Sequence, residues 1–207
     1  MQSCVTEDFN KVSDNVAIQQ SFSIPVSQTT LKYDSFDPAL SSNIPGPYGS
    51  LYFYTLPFPN NNPFLIKSAL VEFNLNDSKN QQQWIKRVDF RILVENNYPA
   101  DILTQIYLLD ANNRPIDSVF VTGPQRVASA QINAQGEAVS PSSQIFDVTF
   151  EGTRLDNLKK SNLLLYKIYI ATTNKQVNTI RLNGDNQVVI NLGARLLLEY
   201  NLQDTSQ

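Results

Sequence analysis

From residue 187 to residue 200 the apolar side chains Val188, Ile190, Leu192, Ala194, Leu196, Leu198 and Tyr200 occupy every second position. Gln187, Asn191, Arg195 and Glu199 fall between them, with Val189, Gly193 and Leu197 as exceptions. Successive side chains of an extended chain point to opposite faces, so this spacing predicts a strand with one face on a core. A helical period would scatter the same residues around a cylinder. Residues 84–96 repeat the rhythm, with Val88, Phe90, Ile92 and Val94 facing in and Arg87, Asp89, Arg91 and Glu95 facing out. Residues 163–173 repeat it again through Leu164, Tyr166, Ile168 and Ile170. Shorter strands are expected at 18–26, 50–55, 66–74, 102–109, 118–122, 126–132 and 144–151. With almost no helix to cross between parallel neighbours, this all-β chain is expected to form an antiparallel β-sandwich.

The turns fit that scheme. Asp110 to Pro115 separates two strand runs with residues that accept positive φ, predicting a hairpin between 103–109 and 116–121. Asn183-Gly184-Asp185-Asn186 predicts a second hairpin, between 177–182 and the last strand; Gln135-Gly136-Glu137 predicts a turn, and residues 140–143 a loop. Only 153–160 reads as a helix: Thr153 at its start, Asp156 three later and Lys159-Lys160 at its end suit a capped, dipole-aligned element. Leu155 and Leu158 should plug one open end of the sandwich. The expected organisation is a tether over 1–15, one sandwich over 16–202 with a possible sub-boundary in the polar link 78–83, and a tail over 203–207.

Composition narrows the chemistry. The chain has 207 residues, no histidine and one cysteine, and its formal net charge is −3. A fold of this size can bury a core without covalent staples. Lacking histidine, it lacks the commonest general base and transition-metal ligand. Without basic blocks, nucleic acid is not the expected partner. There are 22 Asn and 16 Gln while only 17% of residues are charged, so neutral amides solvate much of the surface. No run approaches the ~20 apolar residues of a membrane helix.

The single Cys4 cannot form an internal disulfide. Met1-Gln2-Ser3-Cys4 resembles the end of a bacterial lipobox, with an apolar residue three before the cysteine and a small one just before it. The polar run from Thr6 through Asn15 resembles the tether of a lipidated protein, and Glu7-Asp8 resembles the acidic export signal of Bacteroidota surface lipoproteins. This resemblance implies lipid attachment at Cys4 and a place at the cell envelope, anchored to the outer membrane and facing either the periplasm or the exterior.

A second resemblance lies in 88–99 and 106–112. The strand Val88–Asn96 ends in Asn96-Asn97-Tyr98-Pro99, and Ile106-Tyr107-Leu108-Leu109 runs into Asp110-Ala111-Asn112. These segments resemble the β-sandwich of late-embryogenesis-abundant type 14 proteins and related bacterial lipoproteins, although Asn113-Arg114 stands where that pattern has glycine. The resemblance implies an immunoglobulin-like sandwich without catalysis.

Other constellations are poorer. Asp110, Asn112 and Asp117 begin like a calcium loop, but Pro115 and Val121 replace its glycine and its bidentate acid. Glu72, Asp89 and Glu95 contain a glycosidase pair only if two carboxyls lie about 5 to 10 Å apart. Serine nucleophiles have no histidine base, and no glycine-rich phosphate loop occurs. No cofactor or metal is expected. The stretch Tyr48, Tyr52, Phe53, Tyr54 and Phe58, interleaved with prolines, puts aromatic rings on both faces of any strand it forms. One face must find a cover or a partner, which makes these five residues the expected docking or ligand surface. The expectation is a non-catalytic, lipid-anchored structural or docking subunit of the envelope, with an envelope protein as partner. The alternatives are a carbohydrate-binding surface module, whose partner is a glycan, and a secreted or cytoplasmic domain whose lipobox is accidental.

Overall fold

The computed structural model describes residues 17–32, 64–73, 75, 82–171 and 184–201. Eleven strands run through them: β1 (Ala17–Lys32), β2 (Phe64–Glu72), β3 (Ile85–Asn96), β4 (Ile102–Leu109), β5 (Pro115–Ser118), β6 (Gln125–Val127), β7 (Gln131–Ile132), β8 (Ala138–Ser140), β9 (Ser142–Phe150), β10 (Leu163–Ala171) and β11 (Gln187–Asn201). Among the described residues one α-helix, α1 (Gly152–Lys160), joins β9 to β10, and a single 3-10 turn (Gln82–Trp84) leads into β3. The strand expected at 50–55, the first arm of the hairpin before Gly184, the tether and the tail lie outside the described residues.

The first sheet has the order β1-β11-β3-β9 and the second the order β2-β10-β4, with β5 and β6 both pairing β4. Every pairing is antiparallel. The expected antiparallel sandwich with one short helix is therefore present. Its strand order departs from the immunoglobulin-like expectation. In an immunoglobulin sheet the first two strands lie side by side, whereas here the chain passes from one sheet to the other between β1, β2, β3 and β4. The interleaved orders β1-β11-β3-β9 and β2-β10-β4-β6 make a double Greek key, the jelly-roll arrangement.

The inward rows of the two sheets form one core. On the first sheet they hold Val88, Phe90, Ile92, Val94, Val188, Ile190, Leu192 and Ala194; on the second, Ile102, Ile106, Leu108, Leu164, Tyr166, Ile168 and Ile170. Phe90 meets Phe150 at 5.0 Å and Phe73 at 6.0 Å between ring centroids. Between the sheets Ser27, half-buried on β1, and the buried Tyr166 of β10 share a hydrogen bond. Burial pushes the Tyr166 phenol up to about 12, against the smaller opposite pull of the Ser27 bond.

Packing revises several local expectations. Leu155 and Leu158 are buried as expected, but α1 starts at Gly152 behind an extended Glu151 that makes no side-chain cap; Thr153 does not cap it. The hairpin after β4 has its second arm at Pro115–Ser118, not 116–121, and Asn113 takes the left-handed conformation its turn needs, with φ 59°. Beyond it, the buried Gln105 side chain donates to the Phe120 carbonyl at 2.8 Å and accepts the Phe120 N–H at 3.1 Å. An amide side chain thus replaces a strand partner for Phe120. The expected strand 126–132 divides into β6 and β7 because Asn96, Tyr98 and Asp101 capture the backbone of residues 128–130. The expected loop 140–143 is strand on both sides of Pro141.

Candidate functional site

A shallow groove of about 1280 Å³ lies over the outer face of the first sheet. Its floor follows from register. Ser23, Arg195, Asp89 and Thr149 make one row across β1, β11, β3 and β9; Pro25, Gly193, Arg91 and Asp147 make the next; Gln28, Asn191, Leu93 and Ile145 make the third. Because side chains two apart share a face, the outward residues of four strands build a lattice of charge and amide.

The charges are paired. Asp89 accepts from Arg87 Nε at 2.7 Å, from Thr149 Oγ1 at 2.8 Å and from Arg195 at 3.0 Å. Partial burial raises the Asp89 carboxyl, and these three donors more than offset it, holding the group below its ordinary value. Arg91 grips Asp147 with two bonds, 2.8 and 3.1 Å, and lowers it likewise. Both carboxylates are therefore ionised near neutral pH, and three guanidinium groups face two carboxylates. At the middle of the lattice Gly193 leaves a gap. A Cβ there would lie 3.7 Å from the Ile24 carbonyl oxygen, an ordinary contact. Such a surface offers forked donors and acceptors to polar ligands, and its acids carry no proton to give.

A smaller depression borders it, where the exposed Val121 and Ile145 flank Arg154. Arg154 acts as a structural pin there. Its guanidinium donates to the Ser118 carbonyl at 2.6 Å and the Val119 carbonyl at 3.1 Å, faces Asp117 at 3.5 Å and lies 4.3 Å over the Phe150 ring.

The residues singled out from sequence fare as follows. Cys4, Tyr48, Tyr52, Phe53, Tyr54 and Phe58 lie outside the described residues. Asp110 spends one oxygen on the N–H groups of Asn112 and Arg114, and Asp117 faces Arg154, so the two close a turn and a pin instead of converging on a cation. Among the described residues no group of three or more Cys, Asp or Glu is placed to hold a metal. The glycosidase pair is not assembled: Asp89 and Glu95 stand six residues apart on β3, about 20 Å along a strand, and Glu72 belongs to the other sheet. Sequence reading missed Asp147, whose link to Arg91 depends on the β3–β9 register. An outward acid in a strand was the available signal. It also missed the outer face of the second sheet, where Leu103, Gln105, Tyr107, Leu109, Leu165, Lys167 and Tyr169 are all buried.

No protein-family model matches the chain, and no curated protein sequence matches it. Among solved structures it is similar to a "putative secreted protein" of Parabacteroides distasonis ATCC 8503, with 14% identity, a TM-score of 0.48, and coverage of 64% of this chain and 38% of that one. It is also similar to the VP2 subviral particle of infectious bursal disease virus, with 9% identity, a TM-score of 0.35, and coverage of 87% and 32%. A third likeness is to the enzymatically active domain of bacteriophage CBA120 tailspike protein 4, with 11% identity, a TM-score of 0.31, and coverage of 91% and 20%. The chain thus spans less than two thirds of each of these structures. No helix of the described residues is long and apolar enough to cross a membrane.

Proposed function

We propose that this chain is a non-catalytic β-sandwich of the bacterial cell envelope, anchored through a lipid on Cys4 and acting as a structural or protein-docking subunit. The observation that carries the non-catalytic part is the state of the groove: each of its two acids is ionised and held by arginine, which suits recognition and leaves no proton donor at neutral pH. The anchoring part rests on Met1-Gln2-Ser3-Cys4 and the polar residues after it, and so does the relation to Bacteroidota lipoproteins. The docking part rests on the aromatic run Tyr48 to Phe58. Nucleic acid has no place in this reading.

A carbohydrate-binding role is the second reading, favoured by Gln28, Asn191 and the paired Arg and Asp side chains of the groove, which match the donor and acceptor pattern of sugar hydroxyls. Mass spectrometry of the native amino terminus tests the anchor: a diacyl or triacyl adduct on Cys4 is expected, and an unmodified mature Cys4 overturns it. Co-purification from envelope membranes should bring a stoichiometric protein partner. Capture of a polysaccharide without such a partner moves the assignment to the second reading. Tyr52→Ala and Tyr54→Ala should weaken partner capture at an unchanged melting temperature.

A further inference from the structure

Among the described strands β1 is the outermost of the first sheet, paired with β11 on one side from Ala17 to Lys32. Residues 19–25 are all exposed. In an antiparallel ladder alternate residues turn both N–H and C=O away from the paired neighbour, so a lateral row of donors and acceptors faces outward along β1. Natural edge strands are blunted by charge, shortness, proline or a bulge. β1 is 16 residues long and carries no charged side chain from Ala17 to Leu31. Its defences are Pro25 and the register shift between Pro25 and Ser27, which leave residues 17–24 as a regular, neutral edge. On the inward side of that segment Phe22 is 48% and Ile24 39% exposed, although the residues in their rows two strands away, Val88 and Phe90, are fully buried.

We propose that residues 17–24 of β1 pair antiparallel with the same segment of a second copy of this chain, fusing two first sheets into one continuous sheet. A second copy is the occupant that fits. The two-fold arrangement sets neutral residues against neutral residues with no like charges opposed, and it extends the inward apolar rows so that Phe22 and Ile24 of each copy are covered. The other edge of the same sheet, β9, is the poorer choice, because Asp147 would carry its charge into the joint. A joint of about eight residues is small, so the dimer should form in a concentration-dependent way. This goes beyond the docking reading above and does not depend on it.

Sedimentation velocity of the full chain from micromolar to near-millimolar concentration tests the pairing. A monomer–dimer equilibrium is expected. Ser21→Lys with Ser23→Lys, both outward on β1, should weaken it roughly tenfold or more by opposing like charges, at an unchanged melting temperature. Hydrogen exchange of the unaltered chain supplies a reading free of folding effects: amides within 17–24 should gain protection as concentration rises. A chain that stays monomeric throughout overturns the proposal. So does a dimer that keeps its affinity in the lysine variant but loses it in Ile145→Lys on β9, and so does protection confined to another strand.

Discussion

On the outer face of the first sheet Arg91 and Asp147 have side chains 72% and 62% exposed, whereas on the outer face of the second none of Leu103, Gln105, Tyr107, Leu165, Lys167 and Tyr169 exceeds 6%. Both sheets use their inner faces for one core. The difference lies in the second row of each strand. β3 alternates in sequence and in burial, while β4 and β10 are apolar at nearly every position and β4 is buried at all eight. Strands covered on both sides read as continuous apolar runs, and strands covered on one side alternate. The first sheet therefore offers a surface, and the β4–β10 centre of the second is an interior layer, although Leu70 on its β2 edge is exposed.

The strongest way to break this contrast is to truncate matched outer positions. Leu165→Ala on the second sheet should cost about 2–5 kcal/mol in chemical denaturation, whereas Leu93→Ala on the first should cost less than about 1 kcal/mol. Equal losses would end the distinction. Arg154→Ala should cost about 2–3 kcal/mol, because it strips the Ser118 and Val119 carbonyls and leaves the poorly exposed Asp117 without its cation.

The two faces should also differ in their pH response. Burial holds the Lys167 ammonium below its ordinary value of 10.5, so the unfolded chain keeps a proton that the folded chain has released. Stability should rise with pH between that lowered value and 10.5, and Lys167→Met should reduce the rise; Lys159, lowered for the same reason, keeps a share. Tyr166, raised to about 12, opposes the trend above pH 10, so the slope is best measured below that pH. On the first sheet the slope has the same sign but falls in the acid range. Asp89 contributes stability that is fully present above its ordinary value of 3.8 and is lost as pH falls through its lowered folded value, and Asp89→Asn should flatten that acid limb. The smallest effect is expected at Gly193, where a Cβ meets only ordinary contacts. Gly193→Ala should stabilise the chain by roughly 0.5–1 kcal/mol.

Much of the architecture was legible because one-sided burial writes itself into alternation. Val88 to Val94 and Val188 to Ala194 face in as their spacing predicts. The turn at Asp110 and the buried Leu155 and Leu158 of α1 were legible for similar local reasons. Strand order was not, since nothing in the sequence of β11 states that it lies between β1 and β3. The same limit hid Asp147, and it joined Phe120 to Gln105 where a strand was expected. Leu163, Leu165 and Tyr169 carried a readable signal, the continuous apolar run of β10, which attention to one inward row passes over. The chemistry-bearing candidates from Cys4 to Phe58 lie outside the described residues, so the groove on the first sheet is a site that sequence alone did not locate.

The position of β11 has a consequence for how the molecule is made. It is the most C-terminal strand described, yet it joins β1 to β3 and is the described strand on which the whole ladder of β1 depends. A ribosome-bound chain that lacks residues 187–201 has no centre for its first sheet, so the sandwich can close only after that stretch has emerged. Contacts this distant in sequence slow folding. Until residue 201 has been made, the first sheet of the nascent polypeptide should therefore stay open.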